Sequence, residues 1–178
     1  MPQRLLIIFF VFTFASTSFA PSDVKASFSI LAGLNQTSIS KSSDSNSSFR
    51  GTYSDLEWYA HFNTDLSFNE HWGGVIGIGI ATADQTTFLE LPIVLTYNFN
   101  EKWKVFLGSQ GDFILNEASD TVYYKHAGLS GVLGIEYYII PQIFIDLRTT
   151  RGIVEQIKIE NQYGGKRSTC RLGIGYKF

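Results

Sequence analysis

Charged residues stand at alternate positions inside stretches that are otherwise apolar, and they are the residues best able to do chemistry. The plainest example is the pair Asp146 and Arg148, and Glu90, Glu136 and Arg171 hold comparable positions. If one face of each stretch lines a narrow interior, these charges must pair or hydrogen-bond, because an unpaired buried charge is costly. We therefore predict a structural polar network of these residues, with Arg148 near Asp146 and Glu136 and with Arg171 nearer the outer end. A proton or ion path is the alternative use of the same side chains.

Hydrolysis would require a serine close to a histidine, as lipid deacylases have. His126 is followed by Ala127 and Gly128, so the His-x-Ser spacing is absent there. Ser130 and Glu136 are close in sequence, but Ser130 is predicted to face inward while His126 stands at the end of a loop. The sequence therefore predicts a protein without enzymatic activity, and a lipid-modifying barrel enzyme is kept as an alternative.

The histidines and the cysteine do not form a pattern typical of a metal site. His61 is predicted to point into the interior and His71 to lie in a turn, and a lone cysteine, Cys170, excludes an internal disulfide and a cysteine-based zinc site. Gly77 and Gly79 are followed by a loop and not by the helix that a phosphate-binding glycine loop requires. The sequence predicts neither a metal nor a cofactor.

These residues lie on about eight stretches in which apolar side chains alternate with polar ones or with glycine. The alternation has the period of a β-strand, and the lengths are close to the ~9–11 residues of a tilted transmembrane strand. The predicted strands are 27–35, 56–68, 72–81, 88–98, 103–115, 127–137, 143 to about 152 (with a continuation to 159 left open) and 168–178. Pro92 interrupts the fourth strand, where we expect a bulge because proline has no N–H to donate.

The predicted fold is all-β: an eight-stranded antiparallel transmembrane β-barrel after a cleaved signal peptide. Eight strands enclose a narrow lumen that side chains roughly fill, so an open pore is not expected. The alternation also places Glu57, His61, Asp65 and Asp112 inside. A soluble lipocalin-like periplasmic barrel that binds a small apolar ligand is the alternative, and it requires the opposite polarity, with apolar side chains inside.

The N-terminus has the layout of a secretory signal peptide: Arg4, an apolar run over 5–14, and small or hydroxyl residues up to Ala20. The apolar run is about half the ~20 residues that a membrane-spanning helix needs. We assign 1–20 to the signal peptide and 27–178 to the barrel domain. Cleavage after Ala26 is the alternative, because Pro21 disfavours cleavage after Ala20.

The connections between the predicted strands alternate between long and short. With the N-terminus in the periplasm, every short connection falls on the periplasmic side, which is characteristic of outer-membrane barrels. Aromatic residues gather near that rim, as interfacial girdles do: Trp72, Tyr97, Phe99, Trp103, Tyr137, Tyr138, Tyr176 and Phe178. The longest loops, 36–54 and 161–167, are the candidates for binding a protein partner.

The last strand ends on Phe178, with Ile174 and Tyr176 at alternate positions before it. This ending resembles the C-terminal signal that the barrel-insertion machinery reads in bacterial outer-membrane barrels. The resemblance implies that Ile174, Tyr176 and Phe178 act as an insertion signal, and that the insertion machinery and outer-membrane lipid are partners.

Five short motifs resemble the PorT-like outer-membrane β-barrel domain family. They are LAGLN at 31–35, FLELPIVL at 88–95, GIEY at 134–137, RTTRGI at 148–153 and GYKF at 175–178. The family resemblance makes Pro92 a family feature, and Thr149 departs from the pattern because an aromatic residue is usual there. It implies a small barrel in the bacterial outer membrane but no uniform activity, since some members support protein secretion and most are uncharacterised.

Composition excludes other classes. The formal net charge of -2 gives no reason to expect a nucleic-acid partner, and the 17% of charged residues is below the roughly 25% of ordinary soluble chains. The sequence thus predicts a non-enzymatic outer-membrane barrel that is structural or binds partners through its extracellular loops, with support of secretion or of envelope integrity as possible roles.

Overall fold

The computed structural model describes residues 24–41, 52–53, 56–83, 86–116, 122–124, 127–154, 157–159 and 162–178. The predicted signal peptide over 1–20 and a cleavage site after Ala20 lie outside these residues, as does the centre of the first predicted loop, whereas the alternative site after Ala26 falls within the first described strand. Eight long strands account for most of the described chain: β1 Lys25–Lys41, β2 Glu57–Ser67, β3 Trp72–Ala83, β4 Thr86–Asn98, β5 Trp103–Asn116, β6 Ala127–Ile140, β7 Ile143–Gly152 and β8 Gln162–Lys177. No helix in the described part of the chain is long and apolar enough to cross a membrane.

The eight strands form one closed antiparallel sheet. Each strand pairs with the next along the chain, and β1 also pairs with β8, from Ser29 opposite Lys177 to Lys41 opposite Gly165. Three short strands, Thr52–Tyr53, Val122–Tyr124 and Ile157–Ile159, extend the sheet. The predicted eight-stranded all-β barrel is confirmed. Because closure leaves these long strands without a free edge, their backbone groups can be satisfied within the barrel.

The two faces of the barrel wall differ in polarity. Along β7, Asp146 is fully buried in the lumen, whereas the neighbouring Leu147 is 48% exposed on the outside. The same alternation gives an outer surface of large exposed apolar side chains and an interior in which most buried residues are polar or charged. The predicted arrangement, apolar outside and polar inside, is confirmed.

The two strands at the seam are longer than the sequence indicates. The predicted loop over 36–54 begins later, since β1 continues to Lys41, and the predicted loop over 161–167 was wrong because β8 begins at Gln162. The end of β1, QTSISK at 36–41, and the start of β8, QYGGKR at 162–167, are mostly polar or glycine, so they lack the apolar alternation of the other strands. The backbone pairing between β1 and β8 continues nevertheless, and cross-strand hydrogen bonds rather than an apolar face maintain these ends.

Pro92 does not produce the bulge expected from the sequence. Ile76 pairs with Ile93 and Gly79 pairs with Glu90, so the register between β3 and β4 is the same on both sides of the proline, although the described ladder has no pair at Gly77 and Ile78 between them. The side chain of Pro92 lies against Gly77, where a Cβ would contact the proline Cγ. The register shift in β4 lies instead between Thr87 and Phe88, on its pairing with β5.

The short connections at one end of the barrel, which we call the turn end, occupy 68–71, 99–102 and 141–142. Two of them repeat a sequence, FNEHW at 68–72 and FNEKW at 99–103. In the first, the side-chain oxygen of Asn69 accepts hydrogen bonds from the backbone N–H groups of His71 and Trp72 at 2.9 and 2.8 Å. Asn100 caps the second turn in the same way, so a local asparagine turn closes each hairpin. We call the opposite end the loop end.

Substitution of Gly33 by alanine is expected to weaken the seam between β1 and β8. A Cβ at Gly33 would contact the backbone of Leu172 and Gly173, and a backbone shift of this kind costs about 1–3 kcal/mol. Gly131→Ala is the matched control, since the nearest atom to its added Cβ is 4.0 Å away. Urea unfolding in detergent should show a lower midpoint for the Gly33 variant alone, and equal midpoints for the two variants would contradict this assignment of the close contact.

Candidate functional site

The candidate site is the charged lumen. Inward-facing positions of the strands carry its ionisable side chains, and all of them are buried: His61, Asp65, Glu90, Lys104, Asp112, Glu136, Asp146, Arg148, Arg167 and Arg171. Because alternate residues of a strand face the same side, a charge at an inward position has no route to bulk water except along the barrel axis. The charges must therefore find partners across the lumen.

The Glu90 cluster lies nearer the loop end and consists of Glu90, Arg171, Arg167 and His61. Arg171 binds the carboxylate of Glu90 through both terminal nitrogens, with Nη1 to Oε2 at 2.6 Å and Nη2 to Oε1 at 2.5 Å. Arg167 Nη1 donates to Glu90 Oε1 at 3.1 Å, and His61 Nε2 is 2.9 Å from Glu90 Oε2. One carboxylate from β4 thus connects two side chains of β8 and one of β2.

Asp112 borders this cluster and is held by neutral groups. Gln110 Nε2 donates to its Oδ1 at 2.7 Å, and the Ser130 hydroxyl donates to its Oδ2 at 2.5 Å. Arg167 Nη1 is 3.6 Å from Asp112 Oδ1. The Ser130 hydroxyl that hydrolysis would need is therefore engaged by a carboxylate, and His126 lies outside the described residues.

The centre of the lumen contains a second ion pair. Arg148 binds Asp146 through Nε and Nη2, each 2.7 Å from a carboxylate oxygen, a two-point geometry that only arginine provides. The guanidinium carbon of Arg148 is 5.0 Å from the centroid of the Phe106 ring. The Tyr59 hydroxyl, at 3.5 Å from Asp146 Oδ1, reaches the same carboxylate from the opposite wall.

The Lys104 cluster lies nearest the turn end and consists of Lys104, Asp65, Glu136, Ser29 and Tyr138. The Lys104 ammonium is 3.0 Å from Asp65 Oδ1 and 2.6 Å from Glu136 Oε2. Ser29 donates to Asp65 at 2.8 Å and Tyr138 donates to Glu136 at 3.0 Å. A cavity of about 760 Å³ opens beside this cluster at the turn end, lined by Asp65, Lys104, Tyr138 and turn residues.

Apolar side chains fill the lumen between the charges. One group contains Leu31, Tyr59, Ala81 and Phe144, and another contains Val75, Val94, Phe106 and Val132. A void of about 10 Å³ lies beside Asp65, Glu136 and Arg148, and such a volume holds about one water molecule. Along the described strands the interior is a packed core crossed by ion pairs.

The structure brings the predicted site residues together in the lumen and adds Lys104 and Arg167 to them. Arg148 binds Asp146 and lines the same small void as Glu136, while the hydrogen-bond partners of Glu136 are Lys104 and Tyr138. Arg171 lies in the Glu90 cluster, nearer the loop end. Sequence reasoning left Lys104 out of the network and placed Arg167 in a loop, although Arg167, Thr169 and Arg171 share one face of the strand by simple alternation.

The other predicted positions can be placed as well. Ile174, Tyr176 and Phe178 are exposed on the outer face at the turn end, and the Phe178 N–H donates to the carbonyl of Phe28 at 2.8 Å. Their role in insertion stays a prediction. His71 lies in a turn, with its Nδ1 3.1 Å from the Asn98 carbonyl. Among the described residues, no three His, Cys, Asp or Glu side chains come together as metal ligands.

A closed eight-stranded barrel with an apolar exterior and a charged lumen is the form of small bacterial outer-membrane proteins. No known protein-family profile matches the chain. No curated protein sequence matches it either.

Solved structures do match this fold. Ail, the attachment invasion locus protein of Yersinia pestis, aligns with a TM-score of 0.52 and 16% identity over 86% of this chain and 99% of its own. Ail in complex with the heparin analogue sucrose octasulfate aligns with a TM-score of 0.51. Neisserial surface protein A aligns with a TM-score of 0.52 and 14% identity over 86% of this chain and 99% of its own. At these identities the likeness establishes the fold.

Replacing Glu90 by glutamine is expected to destabilise the barrel strongly. The change keeps the shape of the side chain but leaves Arg171 and Arg167 without their shared carboxylate, and removing one partner of a buried pair costs about 3–5 kcal/mol. The control is Glu101→Gln, the same substitution in an exposed turn. Urea unfolding in detergent should show a large drop in midpoint for Glu90→Gln and almost none for Glu101→Gln; a similar midpoint for both would show that the Glu90 cluster does not support the fold.

Proposed function

We propose that this chain is a non-enzymatic integral protein of the bacterial outer membrane that serves as a rigid scaffold for its extracellular loops. The observation that carries the proposal is the polarity of the wall: large apolar side chains face outward around the barrel while charged side chains face the lumen. In water such an exterior would be an aggregation hazard. In a bilayer it is the surface that hydrocarbon chains cover.

Aromatic contacts at the turn end support the orientation. Trp72 and Tyr97 have ring centroids 4.9 Å apart, and those of Trp103 and Tyr137 are 4.6 Å apart. Tryptophan and tyrosine concentrate where hydrocarbon meets the headgroups. The turn end with this aromatic rim belongs on the periplasmic side in our proposal, so that the loop end faces the outside; one connection there, between β3 and β4, is also short.

The packed lumen supports a scaffold rather than a channel. Ion pairs and apolar groups alternate along the described interior, and loops on a rigid framework are where binding function resides. The structure of Ail with sucrose octasulfate illustrates ligand binding in a barrel of this fold. We infer a protein or glycan-like partner at the loops, with support of secretion or of envelope integrity as the wider role.

Targeting and family membership are parts of the same proposal. The layout of residues 1–20 supports export by a signal peptide, and the exposed Ile174, Tyr176 and Phe178 support recognition by the barrel-insertion machinery. We base the proposed membership of the PorT-like family on the five sequence motifs. The motif around Pro92 lies within β4.

The alternative of a soluble barrel with an apolar ligand has no support in the described lumen. Such a barrel needs an apolar interior, whereas Glu90, Asp146 and Arg171 are buried there. A lipid-modifying enzyme lacks support as well, because Ser130 is bound to Asp112.

Cell-envelope fractionation tests the location. We expect the full-length chain in the outer-membrane fraction, with an unheated sample running differently from a boiled sample on an SDS gel because a closed barrel resists SDS. As a control, Gly131→Ala should behave like the wild type. Recovery in the soluble periplasmic fraction without a heat-dependent shift would overturn the proposal.

Planar-bilayer recording tests the scaffold role. The purified barrel is expected to insert without discrete conductance steps, because side chains fill the lumen from the Glu90 cluster to the Lys104 cluster. The heat-dependent gel shift of the same preparation verifies that the barrel is folded. Regular single-channel steps from the wild-type protein would favour the ion-path alternative instead.

A further inference from the structure

Arg167 carries donors that the described residues leave unused. Its side chain is buried, with the residue 3% exposed, and its Nη1 is engaged by Glu90. Among the described residues, the Nε and Nη2 groups have no hydrogen-bond partner, and neither does Nε of Arg171 in the same cluster. Unsatisfied N–H groups of a buried guanidinium cost free energy. A ligand that accepts hydrogen bonds from these groups would remove that cost.

Arg148 in the same lumen shows how such a pair of donors binds a carboxylate. The Nε and Nη2 groups form the side edge of a guanidinium, and on Arg148 this edge binds the two oxygens of Asp146 at 2.7 Å each. On Arg167 the corresponding edge has no carboxylate among the described residues. It therefore presents a fork that matches two oxygens of one anion.

The surroundings hold the guanidinium in place for such a ligand. Its carbon lies 3.9 Å from the centroid of the Phe88 ring, and Nη1 is held by Glu90. Asp112 is already occupied by Gln110 and Ser130, so it does not turn toward the side edge of Arg167. The plane and one end of the guanidinium are fixed, which leaves the side edge as its binding face.

We propose that the side edge of Arg167 binds one oxyanion, a phosphate, sulfate or carboxylate group, near the loop end of the lumen. This site goes beyond the proposed scaffold role and does not depend on the location of the barrel. An arginine fork selects ligands with two coplanar oxygens, so chloride is a poor ligand. The oxyanion is either a free ion or the terminal group of a larger molecule.

Calorimetric titration of the folded barrel in detergent with orthophosphate, at constant ionic strength set by chloride, tests the site. We expect one phosphate bound per chain. Arg167→Lys keeps the charge but loses the fork and is expected to bind at least about tenfold more weakly, because a hydrogen bond to the anion is lost. Arg151→Lys is the matched control: Arg151 is exposed on the outer face and pairs with Ser168, next to Arg167.

Sulfate and acetate are titrated in parallel as the other two oxyanions. Titration with glucose 6-phosphate distinguishes a free ion from the terminal group of a larger molecule. Binding of orthophosphate but not of the sugar phosphate identifies a free ion, and binding of both identifies a group on a larger molecule. No saturable binding to the wild type, or equal affinities for the wild type and Arg167→Lys, would overturn the proposal. If Arg167→Lys does not fold, Arg167→Gln is titrated in its place. Phosphate binding to Arg167→Gln with the affinity of the wild type would overturn the proposal. The heat-dependent gel shift of the same sample reports folding separately, so failure of the site is distinguishable from failure of the barrel.

Discussion

The hydrogen-bonded carboxylate of Glu90 is the interaction on which the rest of the barrel depends. It is fully buried, and it joins β4 to β8 through Arg171 and Arg167 and to β2 through His61. Lys104 connects β5 with β2 and β6 in the same manner through Asp65 and Glu136. The contacts of Glu90 with Arg171, Arg167 and His61, and that of Lys104 with Asp65, connect strands that are not neighbours in the sheet, whereas Lys104 and Glu136 lie directly opposite each other on adjacent strands.

This arrangement follows from the two demands on a barrel wall. Backbone groups have to be satisfied within the wall, which the closed ring of β1 to β8 achieves. One face of each strand is largely apolar, so most of the charged side chains of the strands are directed to one narrow interior. A lumen of this width cannot hydrate them, and their pairing with one another is what makes an interior of charges compatible with a stable fold.

Strict alternation made the wall predictable. It placed Glu90, Glu136, Asp146, Arg148 and Arg171 inside, and it gave the number of strands, because apolar residues alternate with polar residues or glycine in eight separate stretches. The partners could not be predicted in the same way. Which cation reaches which carboxylate depends on the register between strands and on side-chain length, and the register places Lys104 of β5 directly opposite Glu136 of β6.

Strand ends were less predictable for a related reason. Arg167 lies where β8 has lost its apolar face, and a polar stretch with glycine is typical of a loop until its partner β1 is known. At Pro92 the sequence predicts an irregularity that the register does not show. The missing N–H of proline is typical of a bulge, but the small Gly77 beside it accommodates the ring without a change of register. In both cases the neighbouring strand determines the structure, and the sequence of one strand alone does not show which residues its neighbour places beside it.

Tryptophan fluorescence in lipid is the most direct test of the central claim, that the apolar face is outside and contacts hydrocarbon. The three tryptophans of the chain, Trp58, Trp72 and Trp103, lie on that face, at 50%, 44% and 42% exposure. In vesicles containing lipids brominated along the acyl chains, we predict strong quenching of the fluorescence and weak quenching by aqueous iodide. Strong quenching by iodide together with none by brominated lipid would contradict the account, because it would place the apolar face away from the bilayer.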